Sequence, residues 1–254
     1  MNYFFGAKFN SIKAELQIPL FQNRKLNNKK IKLFCAVPKN NNWIIEDFGQ
    51  NTIEDKFYII KDRDIDNEKI YFLANNDDVN NFDKNELIEF NNFTETFPAF
   101  RANLKMYLEN GGFSSYQSEY PFSMIKKNGN ILTPISTLLN SNVDKNYLVF
   151  KNIYFKPIKK KFLASFIDIK EKKIIKEVSF ITNETNFLEI ENELMKPNIY
   201  LNTHEFIGVP IYLSIKNKHI SLEHTHPPHE YFFGQNKFKN VKILKERINE
   251  IFSK

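Results

Sequence analysis

From Tyr147 to His226 the chain is a succession of short apolar runs at nearly even spacing. They are Tyr147–Phe155, Lys161–Ile169, Ile174–Ile181, Asn186–Ile190, Asn198–Asn202, Val209–Ile215 and His219–His226. β-Branched and aromatic residues fill them, and polar clusters such as Lys170-Glu171-Lys172-Lys173 and Thr182-Asn183-Glu184 separate them. Runs this short, broken this regularly, read as strands of a sandwich or curved sheet. The first half agrees. Ile12, Ala14, Leu16 and Ile18 alternate within Phe9–Phe21, the period of a half-buried strand, and Pro19 ends that strand or places it at an edge. Lys30–Val37, Trp43–Ile45, Phe57–Lys61 and Lys69–Leu73 are further strands, with Asp62–Asn67 a solvated hairpin loop.

Helical signals are few. Asp83 followed by Glu86 resembles a capping box and predicts a short helix over Asp83–Phe90. Phe100, Leu104, Tyr107 and Leu108 form a helical stripe, with Gly111-Gly112 as its stop, and predict a helix over Phe100–Asn110. Thr133-Pro134 starts a helical turn that runs to Leu139. Lys237–Phe252 carries Phe238, Val241, Leu244, Ile248, Ile251 and Phe252 on one face, an amphipathic helix suited to covering a sheet. The expected fold is therefore mainly β, antiparallel and sandwich-like, with a few peripheral helices and a C-terminal amphipathic helix. No linker marks a boundary. The chain reads as one β-rich domain over 1–254, or as halves 1–140 and 146–254 meeting at the polar stretch Asn140–Asn146.

Composition narrows the function. The 254 residues are 42% hydrophobic and 15% aromatic, enough to build a sizeable core. Cys35 is the only cysteine, in the apolar run Leu33–Val37, so it reads as a small buried hydrophobe and no disulfide joins the chain to itself. The sequence shows neither a signal-peptide pattern nor an apolar run near the ~20 residues of a membrane span. The expected location is a reducing, cytoplasmic one. The net charge is +6, but only Arg24, Arg63, Arg101 and Arg247 supply guanidinium groups. Lysine-dominated charge without Arg forks argues against a reader of nucleic acid.

Chemistry concentrates late. All five histidines lie between His204 and His229. If Asn217-Lys218 turns the hairpin between Val209–Ile215 and His219–His226, Lys216 pairs with His219 and each pair of residue numbers has the same sum. Ile215 then faces Ile220, Leu213 faces Leu222, Ile211 faces His224 and Val209 faces His226. His224 and His226 end an apolar sheet face, roughly 7 Å apart, while His219 and Glu223 point to the polar side. Two imidazoles so placed can share a metal ion such as zinc, with His229 or His204 as further ligands and Glu205 or Glu230 as ligand or general base. This reading gives a metal-binding protein, or a metal-dependent enzyme acting on a polar substrate.

His224-Thr225-His226-Pro227 resembles the His-x-His-Pro of the JAMM metalloproteases. The Ser-x-x-Asp that completes that motif is absent, since Ser253 is the sole later serine and no aspartate follows. No zincin pattern, phosphate loop or nucleophile elbow is present.

A second stretch, Thr96–Met124, is dense in polar groups. Arg101, Ser115, Tyr116, Gln117 and Glu119 form a candidate binding loop for a polar small molecule, a glycan or a partner protein. The alternative function is accordingly a non-catalytic binding or assembly module whose histidines are structural.

Overall fold

The structure is a computed structural model, and it describes residues 2–9, 12–19, 31–49, 52–53, 57–90, 102–136, 139–224, 243 and 246–253. The described strands form four antiparallel sheets, as expected from the alternating runs. Sheet I has the order β10 (Glu119–Pro121), β1 (Asn2–Phe5), β7 (Ile70–Asn75), β3 (Ile31–Lys39), β4 (Asn42–Gly49). Sheet II runs β5 (Thr52–Ile53), β6 (Phe57–Lys61), β2 (Ile12–Pro19), β8 (Asn103–Leu108), β9 (Phe113–Gln117). Sheet III is β15 (Thr185–Glu189), β12 (Lys145–Lys151), β17 (Val209–Lys216), β18 (His219–His224). Sheet IV is β11 (Leu132–Pro134), β16 (Ile199–Thr203), β13 (Lys161–Asp168), β14 (Lys173–Ile181).

Two apolar cores lie among these sheets, and sheet III borders both. Tyr147, Val149, Ile211, Leu213, Ile220 and Leu222 face the larger core, which sheets I and II complete. Leu148, Phe150 and Tyr212 face the other way, onto Phe162, Ala164, Phe166 and Leu201 of sheet IV. A strand buried on both faces needs apolar residues at successive positions, and Tyr147-Leu148-Val149-Phe150 supplies them.

Three helical expectations fail. Residues 103–108 are a strand, because Leu104 and Met106 are buried while Asn103, Lys105 and Tyr107 are half-exposed, the period of two. Gly111 and Gly112 turn the β8–β9 hairpin instead of stopping a helix: Leu108 N donates to Gly112 O and Gly111 N to Leu108 O. Residues 83–90 stay non-helical, since Asn85 N donates to the Asp83 carboxylate in a local turn and Leu87 N donates to Phe155 O. That extended path delivers Leu87 and Phe90 into the core. Thr133-Pro134 belongs to β11, an edge strand that tolerates the missing proline N–H.

Two short helices do form, α1 (Asn76–Asn80), capped by the Asn75 side chain, and α2 (Phe122–Ile125). Residues 246–252 of the expected C-terminal helix are helical. That helix lies beside the outer side of sheet IV, where Phe252 packs edge-on to His204 and Glu250 pairs with Lys172 at 2.8 Å.

Candidate functional site

The histidine hairpin has the register that its turn residues predict. Lys216 pairs with His219, Ile215 with Ile220, Leu213 with Leu222 and Ile211 with His224. Asn217 takes the positive φ the turn requires. His224 is half-buried at the end of the apolar face, and its ring meets Tyr116 edge-on at 4.4 Å between centroids. The two sequence stretches singled out for chemistry thus touch at this pair. His226, His229, Glu230 and Arg101 lie outside the described residues.

His204 has other company. Its Nε2 sits 2.6 Å from Ser165 Oγ, and that hydroxyl donates to Glu177 Oε1 at 3.3 Å. The register explains the cluster, because Ser165 pairs with Glu177 on one side and with Asn202 on the other. The composition is that of a catalytic triad, but the order is not. The acid reaches the serine hydroxyl, whereas in a triad it orients the imidazole. Glu205 is exposed and pairs with Lys160 at 2.6 Å. Among the described residues no group of three or more His, Cys, Asp or Glu is arranged to hold a metal ion. Nothing in the sequence pointed to Ser165 on β13 or Glu177 on β14, far along the chain from His204, which follows β16.

The candidate binding residues divide between two faces. Tyr116 points inward to His224, whereas Ser115 and Gln117 point outward with Phe113. The Glu119 carboxylate accepts from Ala102 N at 3.0 Å and fastens the chain entering β8. The outward residues of β9 continue rows across sheet II, since paired residues share a face. One row is Ile59, Gln17, Asn103 and Gln117. The next is Lys61, Glu15, Lys105 and Ser115, and beyond it lie Lys13, Tyr107 and Phe113.

Two of the three lysines on this face are closed into ion pairs. Lys61 meets Glu15 at 2.5 Å and Lys13 meets Glu109 at 3.0 Å. Burial alone would raise the Glu15 carboxyl, but hydrogen bonds from Lys61 and Gln17 outweigh it and hold it below the usual carboxylate range. The hydrogen bond to Glu109, aided by its charge, raises the Lys13 ammonium. Lys105 leans over the aromatic residues, with Nζ 4.6 Å from the Phe113 ring centre and 5.6 Å from that of Tyr107. Phe113 is nevertheless 64% exposed, the most open large apolar side chain among the described residues. The free side of β9 meets β18: Leu222 N donates to Ser114 Oγ at 3.1 Å, and Gly112 N to Lys218 O at 2.7 Å.

The chain matches no protein-family model, no curated protein and no solved structure. No helix among the described residues is long and apolar enough to cross a membrane.

Proposed function

We propose that the protein is a non-catalytic binding module, that its ligand surface is the outward face of sheet II, and that its ligand is an uncharged polar chain of the glycan class. The exposure of Phe113 carries this reading, on a face where the Lys105–Ser115 row separates it from a row of side-chain amides. A large ring costs free energy when left in water, and an open one bordered by polar groups marks a contact surface. The paired charges leave a nearly neutral face. The amide side chains of Gln17, Asn103 and Gln117 stand on neighbouring strands roughly 4.8 Å apart, and the Gln17 Nε2 donates to Glu15 at 2.9 Å. A sugar chain presents hydroxyls of both senses and an apolar ring face, and it matches these rows. Single-stranded nucleic acid also uses aromatic residues on a sheet, but it calls for several unpaired cations, and here Glu15 and Glu109 engage Lys61 and Lys13.

Titration of the protein against immobilised oligosaccharides tests the reading. A binding glycan is expected, with Phe113→Ala losing at least tenfold in affinity and Gln117→Ala losing less. Loss of no affinity in F113A, or binding to single-stranded DNA or RNA that collapses with salt, overturns it.

A second reading, a metal site at the end of the hairpin, rests on His224. It ends an apolar face, and strand alternation carried two residues further would put His226 on the same side. Zinc or another divalent transition metal would then be held by His224, His226 and His229, with Glu230 beside them. Elemental analysis of the purified protein decides it: stoichiometric metal that is lost in His224→Phe supports the site, and metal-free protein with no thermal shift on adding zinc removes it. A reducing, cytoplasmic location remains part of the proposal, on the basis of the single buried thiol of Cys35.

A further inference from the structure

β12 is buried on both faces, and its last residue is a lysine. Lys151 is 0% exposed, the one cation among the fully buried side chains described. Its Nζ donates to the backbone O of Asn67 at 3.0 Å. The same carbonyl accepts from Thr185 N at 2.9 Å. The Asn67 side chain in turn grips Lys8, accepting from its N at 2.8 Å and donating to its O at 2.9 Å. Thr185 Oγ1 donates to Gly6 O at 2.9 Å. One residue of the β6–β7 loop therefore ties together the tail of β1, the end of β12 and the start of β15.

The charged groups around the amine come from every element of this knot. Glu184 belongs to the β14–β15 turn, Asp66 and Glu68 to the Asn67 loop, and Lys159 to the segment between β12 and β13, where it pairs with Glu68. Lys8 follows β1, and its ammonium reaches toward Asp62 rather than the knot. The carboxylates attract an ammonium, Lys159 opposes it, and the cost of desolvating the charge outweighs both. Burial pushes the Lys151 amine down to about 7, against an ordinary value of 10.5, and raises the Glu184 carboxyl above its usual range.

We propose that Lys151 and Asn67 form a proton-operated latch, in which the loop over residues 62–69 stays docked on sheet III while the Lys151 amine is neutral and is released when that amine takes up a proton and water. A neutral amine needs only the single carbonyl, whereas an ammonium left in the core is short of solvation. Opening exposes the amine and restores its ordinary basicity. Between the two pKa values the open state binds a proton that the closed state does not. Falling pH therefore favours opening, roughly tenfold per unit, and the effect levels off below about pH 7. The loop also reaches β2, a strand of the sheet that carries the proposed ligand face, because the Asp62 carboxylate accepts from Ala14 N at 2.9 Å. The latch does not depend on which ligand that face holds.

Hydrogen exchange at the Thr185 amide, which donates to Asn67 O, reads the latch directly. Corrected for intrinsic exchange, its opening constant in the full chain is expected to fall about tenfold per pH unit from pH 7.5 to 9, and to lose that dependence in Lys151→Met. Selective carbon-13 labelling of lysine gives a readout that needs no variant, with a side chain titrating near pH 7 expected for Lys151. A Thr185 opening constant independent of pH in the wild-type chain, or titration of every lysine near pH 10, overturns the proposal.

Discussion

Gly208 shows how close the packing is at single residues. A Cβ placed there would lie 2.5 Å from the carbonyl oxygen of Lys151 and 2.5 Å from two ring atoms of Phe150. Backbone and a core ring are the obstacles, so neither can swing away. Gly208→Ala is expected to cost about 1–3 kcal/mol by overpacking, read as a lower urea midpoint. Gly112→Ala serves as its control, because the nearest atoms there sit at 3.5 Å or more, an ordinary contact. A G208A midpoint equal to that of wild type would mean that β17 and β12 are not held together as described. Cys35 makes the opposite case, a residue whose reading needed no structure. It is fully buried, its Sγ lies 3.5 Å from Glu46 Oε2, and burial pushes the thiol up to about 12, the state of an inert core residue.

At the scale of elements, legibility depended on whether one physical constraint or two acted on a segment. β2 alternates cleanly because one face is core and the other is water, and its period of two is visible in the chain. β17 and β18 share a two-residue turn at Asn217, so local chemistry alone specifies the pairing that places His224 opposite Ile211. β8 was ambiguous: Leu104, Tyr107 and Leu108 satisfy a helical spacing as well as they satisfy a strand. What decides is its place between β2 and β9, a non-local fact. β1 is too short, at four residues, to show any period. The candidate site divides in the same way. The direction of His224 was readable along the strand. The contact with Tyr116 was not, because it joins two sheets, and neither was the Ser165–Glu177–His204 cluster, whose members come from three separate segments. The outward rows of sheet II needed the register of four strands before Ser115 and Gln117 could be seen beside Phe113 and Asn103.

For the molecule as a whole, sheet III is the common wall. The larger core needs Tyr147, Val149, Ile211, Leu213, Ile220 and Leu222, and the smaller one needs Leu148, Phe150 and Tyr212. A fragment ending at residue 140 keeps sheets I and II but uncovers the larger core along one side. Such a fragment is expected to bind a hydrophobic dye and to lack a cooperative melting transition, whereas the full chain melts cooperatively. A sharp transition in the fragment would show that sheets I and II suffice by themselves. The same wall has a consequence for how the chain is made. Its strands follow those of sheets I and II along the chain, with β17 and β18 ending at His224. On a ribosome, the first half emerges with its apolar interior open and has to wait for some eighty further residues before it can close, at ~5–20 residues per second a delay of several seconds. A pause in translation after the first half is expected to lengthen this aggregation-prone interval.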